Sequence, residues 1–149
     1  MIPVVQSIVG DGKDGRRNGD CFRACVASIF ELPLEAVPNF IDPSPIGWWI
    51  RLQTWLRPMG LAADHEDHPP DAVPARITVG WWIASVASEN LPGERHAVVM
   101  HGTETAGPDD NLLDVAHDPS PHPRRTPYVF LGATWLVAAD PAAIARRAR

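Results

Sequence analysis

The two clearest helical patterns in this 149-residue chain lie within its first 57 residues, and after a short extended segment at 1–8 the strand-like runs come from residue 77 onward. That order leaves no room for alternating strand–helix–strand crossovers, so it predicts an α+β fold with an antiparallel sheet. The clearest helix is residues 20–31. Cys21, Ala24, Cys25, Ser28 and Ile29 form one stripe, and Phe22, Val26 and Phe30 widen it. Asn18 or Asp20 is the expected cap, and Leu32-Pro33 the stop. After a short turn at 34–40, a second helix is expected over 46–57, with Trp48, Leu52, Trp55 and Leu56 on one face and Pro58 and Gly60 ending it.

Asp64 to Ala75 is polar and proline-rich and reads as a loop. Strands are expected at 77–87, 96–101 and 112–117, with at least one more in 127–137, and a short helix at 140–148. Sixteen prolines keep the elements short. The length suits a single domain, 1–149, whose core needs neither metal nor disulfide staples.

A formal charge of −5 gives no reason to expect a nucleic-acid partner. Arg146, Arg147 and Arg149 read as the solvated end of the last helix. The N-terminal residues lack the charged head and apolar run of a signal peptide, and no stretch approaches a membrane span. The expectation is a cytoplasmic protein with no membrane partner and with reduced thiols. Cys21 and Cys25, four apart on one helix, make a poor disulfide pair and read as two free thiols.

Cys21 stands where a glycine-punctuated polar loop enters the first helix. A thiol there meets the positive end of the helix dipole and unpaired backbone N–H groups, which favour the nucleophilic thiolate. Downstream, His96-Ala97-Val98-Val99-Met100-His101 and Leu112-Leu113-Asp114-Val115-Ala116-His117-Asp118 flank a turn-rich stretch centred on Gly107-Pro108. A hairpin about residue 107 sets His96 directly opposite Asp118, with both on one face. A carboxylate there fixes the tautomer and orientation of the imidazole. Cys21, His96 and Asp118 thus supply nucleophile, base and orienting acid, and the Cys21 N–H supplies one oxyanion donor.

Asp20-Cys21-Phe22-Arg23-Ala24-Cys25-Val26-Ala27-Ser28-Ile29 resembles the nucleophile helix of papain-like cysteine peptidases. The nearest branch is the bacteriocin leader-processing (double-glycine) peptidases, whose helix opens Asp-Cys-Gly. They share a His opening a Val-Val strand, as in His96-Ala97-Val98-Val99, and an Asp-Pro after the next strand, as in Asp118-Pro119. Small bacterial and phage proteins resemble it too, with the same Cys helix, Leu-Pro, Val-Pro-x-Phe and His-Asp-Pro run. The resemblance spans about residues 6–120 on some fifteen positions. It implies a papain-like fold, a nucleophile helix packed on an antiparallel sheet, and Cys21, His96 and Asp118 as the triad. Two positions depart from the pattern. Phe22 replaces the usual glycine after the nucleophile, and Gly15 stands where the family places its oxyanion Gln. Gln6 takes that role if the glycine-rich loop is an insertion.

The expected activity is a cysteine hydrolase acting on a peptide or protein substrate through peptide or related amide bonds, with no cofactor. An acyltransferase using the same triad, or a papain-fold binding module without catalysis, are the alternatives. Cys25 reads as core, with exchange of roles between the two thiols as the competing assignment. His117 is the reserve base, on the face opposite His96 together with His101. His65 and His68 read as exposed loop residues, and the Cys and His spacings do not suit zinc, so no metal is expected. Adjacent tryptophans cannot all face inward, so one or two of Trp48-Trp49 and Trp81-Trp82 are expected to line a groove.

Overall fold

In a computed structural model, which describes residues 1–10, 19–41, 47–69, 80–102, 115–122 and 124–139, both helices form where their apolar stripes place them. Helix α1 is Cys21–Phe30. Its inward side chains Ala24, Cys25, Val26 and Ala27 are fully buried. Glu31 ends it in the left-handed region (φ 57°), and its N–H returns to the carbonyls of Ala27 and Ser28. Helix α2, Trp48–Leu56, buries Leu52 and Leu56 and tightens into a 3-10 turn at Arg57–Met59. Gly60 then takes φ 69°, which turns the chain into the sheet without a Cβ penalty.

The strands are β1 (Leu61–Asp67), β2 (Gly80–Ala87), β3 (Arg95–Gly102), β4 (Val115–His117) and β5 (Phe130–Ala138). Among the described residues they form one sheet in the order β1-β5-β2-β3-β4, with every neighbouring pair antiparallel. The fold is therefore α+β. β3 explains why its sequence is nearly all apolar: Ala97 and Val99 face the helices, and Val98 and Met100 pack on the other side. A strand buried on both faces reads as a continuous apolar run. On the helical side, α1 lies over β3 and β2 and α2 over β1, around Phe22, Phe40, Leu52, Leu56, Ile83 and Val99. The opposite face holds Trp82, Val86, Phe130 and Trp135.

Two local expectations are corrected. Residues 61–67 are an edge strand, not the start of a loop, because their backbone pairs with β5 from Leu61↔Ala138 to Asp67↔Gly132. An acidic, partly exposed edge strand lacks apolar alternation, and edge positions tolerate charge. Asp20 makes no side-chain cap on α1, because its carboxylate is turned to the N-terminal segment instead. Asn18, the turn near residue 107, the helix at 140–148 and the terminal arginines lie outside the described residues. No described helix is long and apolar enough to cross a membrane.

Candidate active site

The chain reaches the site from three directions. The first is the N-terminal segment. Asp20 is completely buried; its Oδ1 accepts the N–H groups of Ser7 (2.9 Å) and Ile8 (2.8 Å), and its Oδ2 accepts the Ser7 hydroxyl (2.7 Å). The Gly19 N–H reaches the Gly10 carbonyl at 2.9 Å, so the two ends of the glycine-rich stretch lie side by side. A Cβ on Gly19 would stand 3.1 Å from that same carbonyl, which accounts for glycine at this close approach. These contacts return Gln6 to the start of α1 across fifteen residues of sequence.

Gln6 is buried and its backbone N–H donates to the Pro119 carbonyl at 2.9 Å, beside Asp118. Its side-chain Nε2 gives one hydrogen to the Ile8 carbonyl (3.1 Å) and carries a second, while Oε1 is buried with no partner among the described residues.

The second direction is α1. Cys21 is its first residue and is partly exposed, and Asp20 before it makes no side-chain cap. Its Sγ accepts the Ala97 N–H at 3.4 Å, which ties the helix start to β3. Cys25, one turn deeper, is fully buried, and burial, followed by the charges of Cys21 and Asp118, pushes its thiol well above the ordinary value. A buried, protonated thiol is inert, so Cys21 is the thiol placed to react.

The third direction is the end of the sheet, where β3 opens and β4 closes. His96 Nε2 meets Asp118 Oδ1 at 2.7 Å. The pair is diagonal and not directly opposed. β3 and β4 pair Val99↔His117 and Met100↔Val115 with a register shift between them. Carried outward, Val99↔His117 sets Asp118 across from Val98, two positions from His96 and so on the same face. The direct opposition expected from a hairpin about residue 107 is thus corrected by two residues, and strand periodicity keeps the two side chains together. His117 projects the other way and donates from Nε2 to the Val4 carbonyl (2.9 Å). His101 is exposed and lies against Trp81, with ring centroids 4.2 Å apart.

Burial works to lower the His96 pKa, but the hydrogen bonds to Asp118 and Cys21 and their charges outweigh it and raise the value to about 9. Burial works to raise that of Asp118, yet the His96 bond, the Ser120 N–H and the Tyr128 hydroxyl hold its carboxyl below the usual range. With Nε2 committed to Asp118, Nδ1 is the ring nitrogen left for Cys21. His96 thus stands between the Asp118 carboxylate and the Cys21 sulfur at a helix N-terminus, the arrangement of groups that a Cys–His nucleophile pair requires.

Two hollows meet at Cys21 and His96. A cavity of about 50 Å³ also contains Gln6, Asp118, Ser120 and Arg124. A groove of about 870 Å³ is lined by Phe22, Ile41, Trp48, Trp49 and Ile83, with Arg95 among its polar residues. Trp48-Trp49 therefore supplies groove-lining tryptophans, as adjacency predicts. His65 is corrected from loop to β1, where it hydrogen-bonds Thr134 Oγ1 at 2.8 Å and its ring meets that of Trp48. Among the described residues no group of three or more His, Cys, Asp or Glu side chains is arranged to hold a metal ion.

Sequence reasoning missed Tyr128, whose hydroxyl donates to Asp118 Oδ2 at 2.9 Å. The one available signal was that it is the chain's only tyrosine, ten residues after Asp118. It also missed Asp20 as the anchor of the Gln6 segment, because its place before a helix reads as a cap. Comparison with family models, curated proteins and solved structures finds no match to this chain.

Proposed function

We propose that this chain is a cysteine hydrolase of papain-like fold that cleaves peptide or related amide bonds through Cys21, His96 and Asp118. The observation that carries the reading is His96. Its Nε2 is bonded to Asp118 at 2.7 Å, and its pKa is raised to about 9 by Asp118 and Cys21 against the effect of burial. Such a histidine enters the reaction already protonated at neutral pH, opposite a sulfur able to act as thiolate.

Cys21 Sγ attacks the carbonyl carbon, and the developing oxyanion is met by the Cys21 N–H and the free hydrogen of Gln6 Nε2. As the C–N bond breaks, His96 gives its proton to the departing amine and leaves a thioester on Cys21. Neutral His96 then takes a proton from water, the hydroxide adds to the thioester carbon, and collapse releases the acid. The proton returns to the Cys21–His96 pair. Asp118 keeps the imidazole oriented and stabilises its charged form in both halves. This cycle needs no cofactor.

The test is the pH profile of Cys21 alkylation by iodoacetamide, read by mass spectrometry in the native protein and in His96→Ala. Trypsin cuts after Arg17 and Arg23, so Cys21 and Cys25 fall in different peptides. Fast alkylation of Cys21 well below pH 8 that disappears in His96→Ala is the expected result. A Cys21 that reacts as an ordinary thiol and ignores His96 would sink the enzyme reading and leave a papain-fold binding module.

A further inference from the structure

Asp118 is held from more than one side. Its Oδ1 takes His96 Nε2 (2.7 Å) and the Ser120 N–H (2.8 Å), and its Oδ2 takes the Tyr128 hydroxyl (2.9 Å). The tyrosine is itself gripped. The Arg124 guanidinium carbon lies 4.3 Å from the Tyr128 ring centroid. The same guanidinium donates to the carbonyls of Thr126 (2.9 Å), Ala87 (3.1 Å) and Pro127 (3.2 Å). The segment before β5 is thereby pinned to the end of β2, and Ala87 N–H adds a bond to the Val129 carbonyl at 2.9 Å.

We propose that Tyr128 is a positioning residue for the candidate triad: it locks the Asp118 carboxylate so that Oδ1 stays turned to His96, and Arg124 locks the tyrosine ring in turn. The inference rests on the Cys21–His96 reading above and adds to it a side chain that acts through Asp118. Asp118 lies just past β4, where the ladder no longer fixes its orientation. Its carboxyl torsion is broad and nearly two-fold, so an anchor on one oxygen is what aims the other. Burial, with the Asp118 bond adding to it, pushes the phenol pKa up to about 12, so the hydroxyl remains a donor across the range in which the triad works. Tyr128 does not line the cavity at Cys21, which is why it positions and does not touch substrate.

The experiment is an NMR titration of the His96 imidazole in wild type, Tyr128→Phe, Asp118→Asn and the double variant. Cys21 alkylation at pH 7 is measured alongside. Tyr128→Phe keeps the ring beneath Arg124 and beside Phe130 and removes only the hydroxyl. It is expected to lower the His96 midpoint by about one pH unit and to slow alkylation several-fold. In the Asp118→Asn background the same substitution is expected to change neither readout, because its route through the carboxylate is gone. Arg124→Lys, which loses the planar stack and the forked bonds, is expected to shift both in the same direction by less, and it stands in if Tyr128→Phe does not fold.

A Tyr128→Phe titration superimposable on wild type overturns the positioning role and leaves the triad standing. So does a shift that persists in full beside Asp118→Asn. If wild-type His96 titrates near its ordinary 6.5 and Cys21 is slow at pH 7, the enzyme reading falls and takes this inference with it.

Discussion

The buried carboxylate of Asp20 accepts the Ser7 hydroxyl at 2.7 Å and the Ser7 amide at 2.9 Å, tying the N-terminal segment to the residue before Cys21. Asp20→Ala removes the acceptor for Ser7 N–H, Ser7 Oγ and Ile8 N–H together. The expected loss of stability is about 2–3 kcal/mol, because three donors on a partly exposed segment lose their shared acceptor at once. Ser7→Ala leaves both amide bonds in place and is expected to cost about 1 kcal/mol. Urea midpoints at constant m-value measure both. Equal losses from the two variants would show that the carboxylate is not the anchor.

The His96–Asp118 pair gives stability a pH dependence of known sign. His96 has a folded pKa of about 9, above its unfolded value. Its contribution is therefore fully present below about pH 6.5 and is lost as pH rises through about 9. The full contribution is roughly 3 kcal/mol at most. Asp118 has a lowered pKa, so its contribution is present above the usual carboxylate range and lost as pH falls through the folded value. The gap in unfolding free energy between wild type and His96→Gln is expected to shrink from pH 6.5 to pH 9.5. A gap that grows over that interval would reverse the sign and remove the basis for a protonated His96.

Gly132 on β5 faces β1 with no room for a side chain. A Cβ there would stand 2.7 Å from the Glu66 carbonyl and 3.2 Å from Asp67 Oδ1. The first neighbour is backbone in a paired strand, so relief requires β1 to move. Gly132→Ala is expected to destabilise by about 1–3 kcal/mol, read as a lowered thermal midpoint. Because β1 also carries His65 against Trp48, the variant is expected to perturb tryptophan fluorescence from the groove. An unchanged melting curve would mean that the β1–β5 register is wrong.

The helices and the central strands were legible because their apolar residues repeat at helical spacing or run unbroken, as in Val98-Val99-Met100. β1 was not legible, since Asp64-His65-Glu66-Asp67 is held by backbone pairing to β5 and its side chains carry no pattern. Cys21, His96 and Asp118 were legible as residue types at element ends. Their meeting survived a wrong register because strand geometry repeats every two residues. What lay beyond reach was tertiary: Asp20 spending its carboxylate on Ser7 and Ile8, and Tyr128 arriving at Asp118 from the approach to β5. Neither leaves a trace in local spacing.

Gln6 separates the steps of the proposed chemistry. Alkylation of Cys21 by iodoacetamide displaces iodide at a saturated carbon and forms no oxyanion, so it needs only the thiolate. Amide cleavage passes through a tetrahedral oxyanion, for which Gln6 Nε2 has a hydrogen left after bonding the Ile8 carbonyl. Gln6→Ala keeps the backbone bond to the Pro119 carbonyl that holds the segment beside Asp118. It is expected to leave the alkylation rate within about two-fold, since the thiolate is untouched. Turnover of a cleaved peptide amide is expected to fall roughly 10²–10³-fold, carried by kcat and not by KM. Parallel loss of both rates would instead make Gln6 a structural support for Cys21, and loss of neither would leave the oxyanion to the backbone N–H of Cys21 alone.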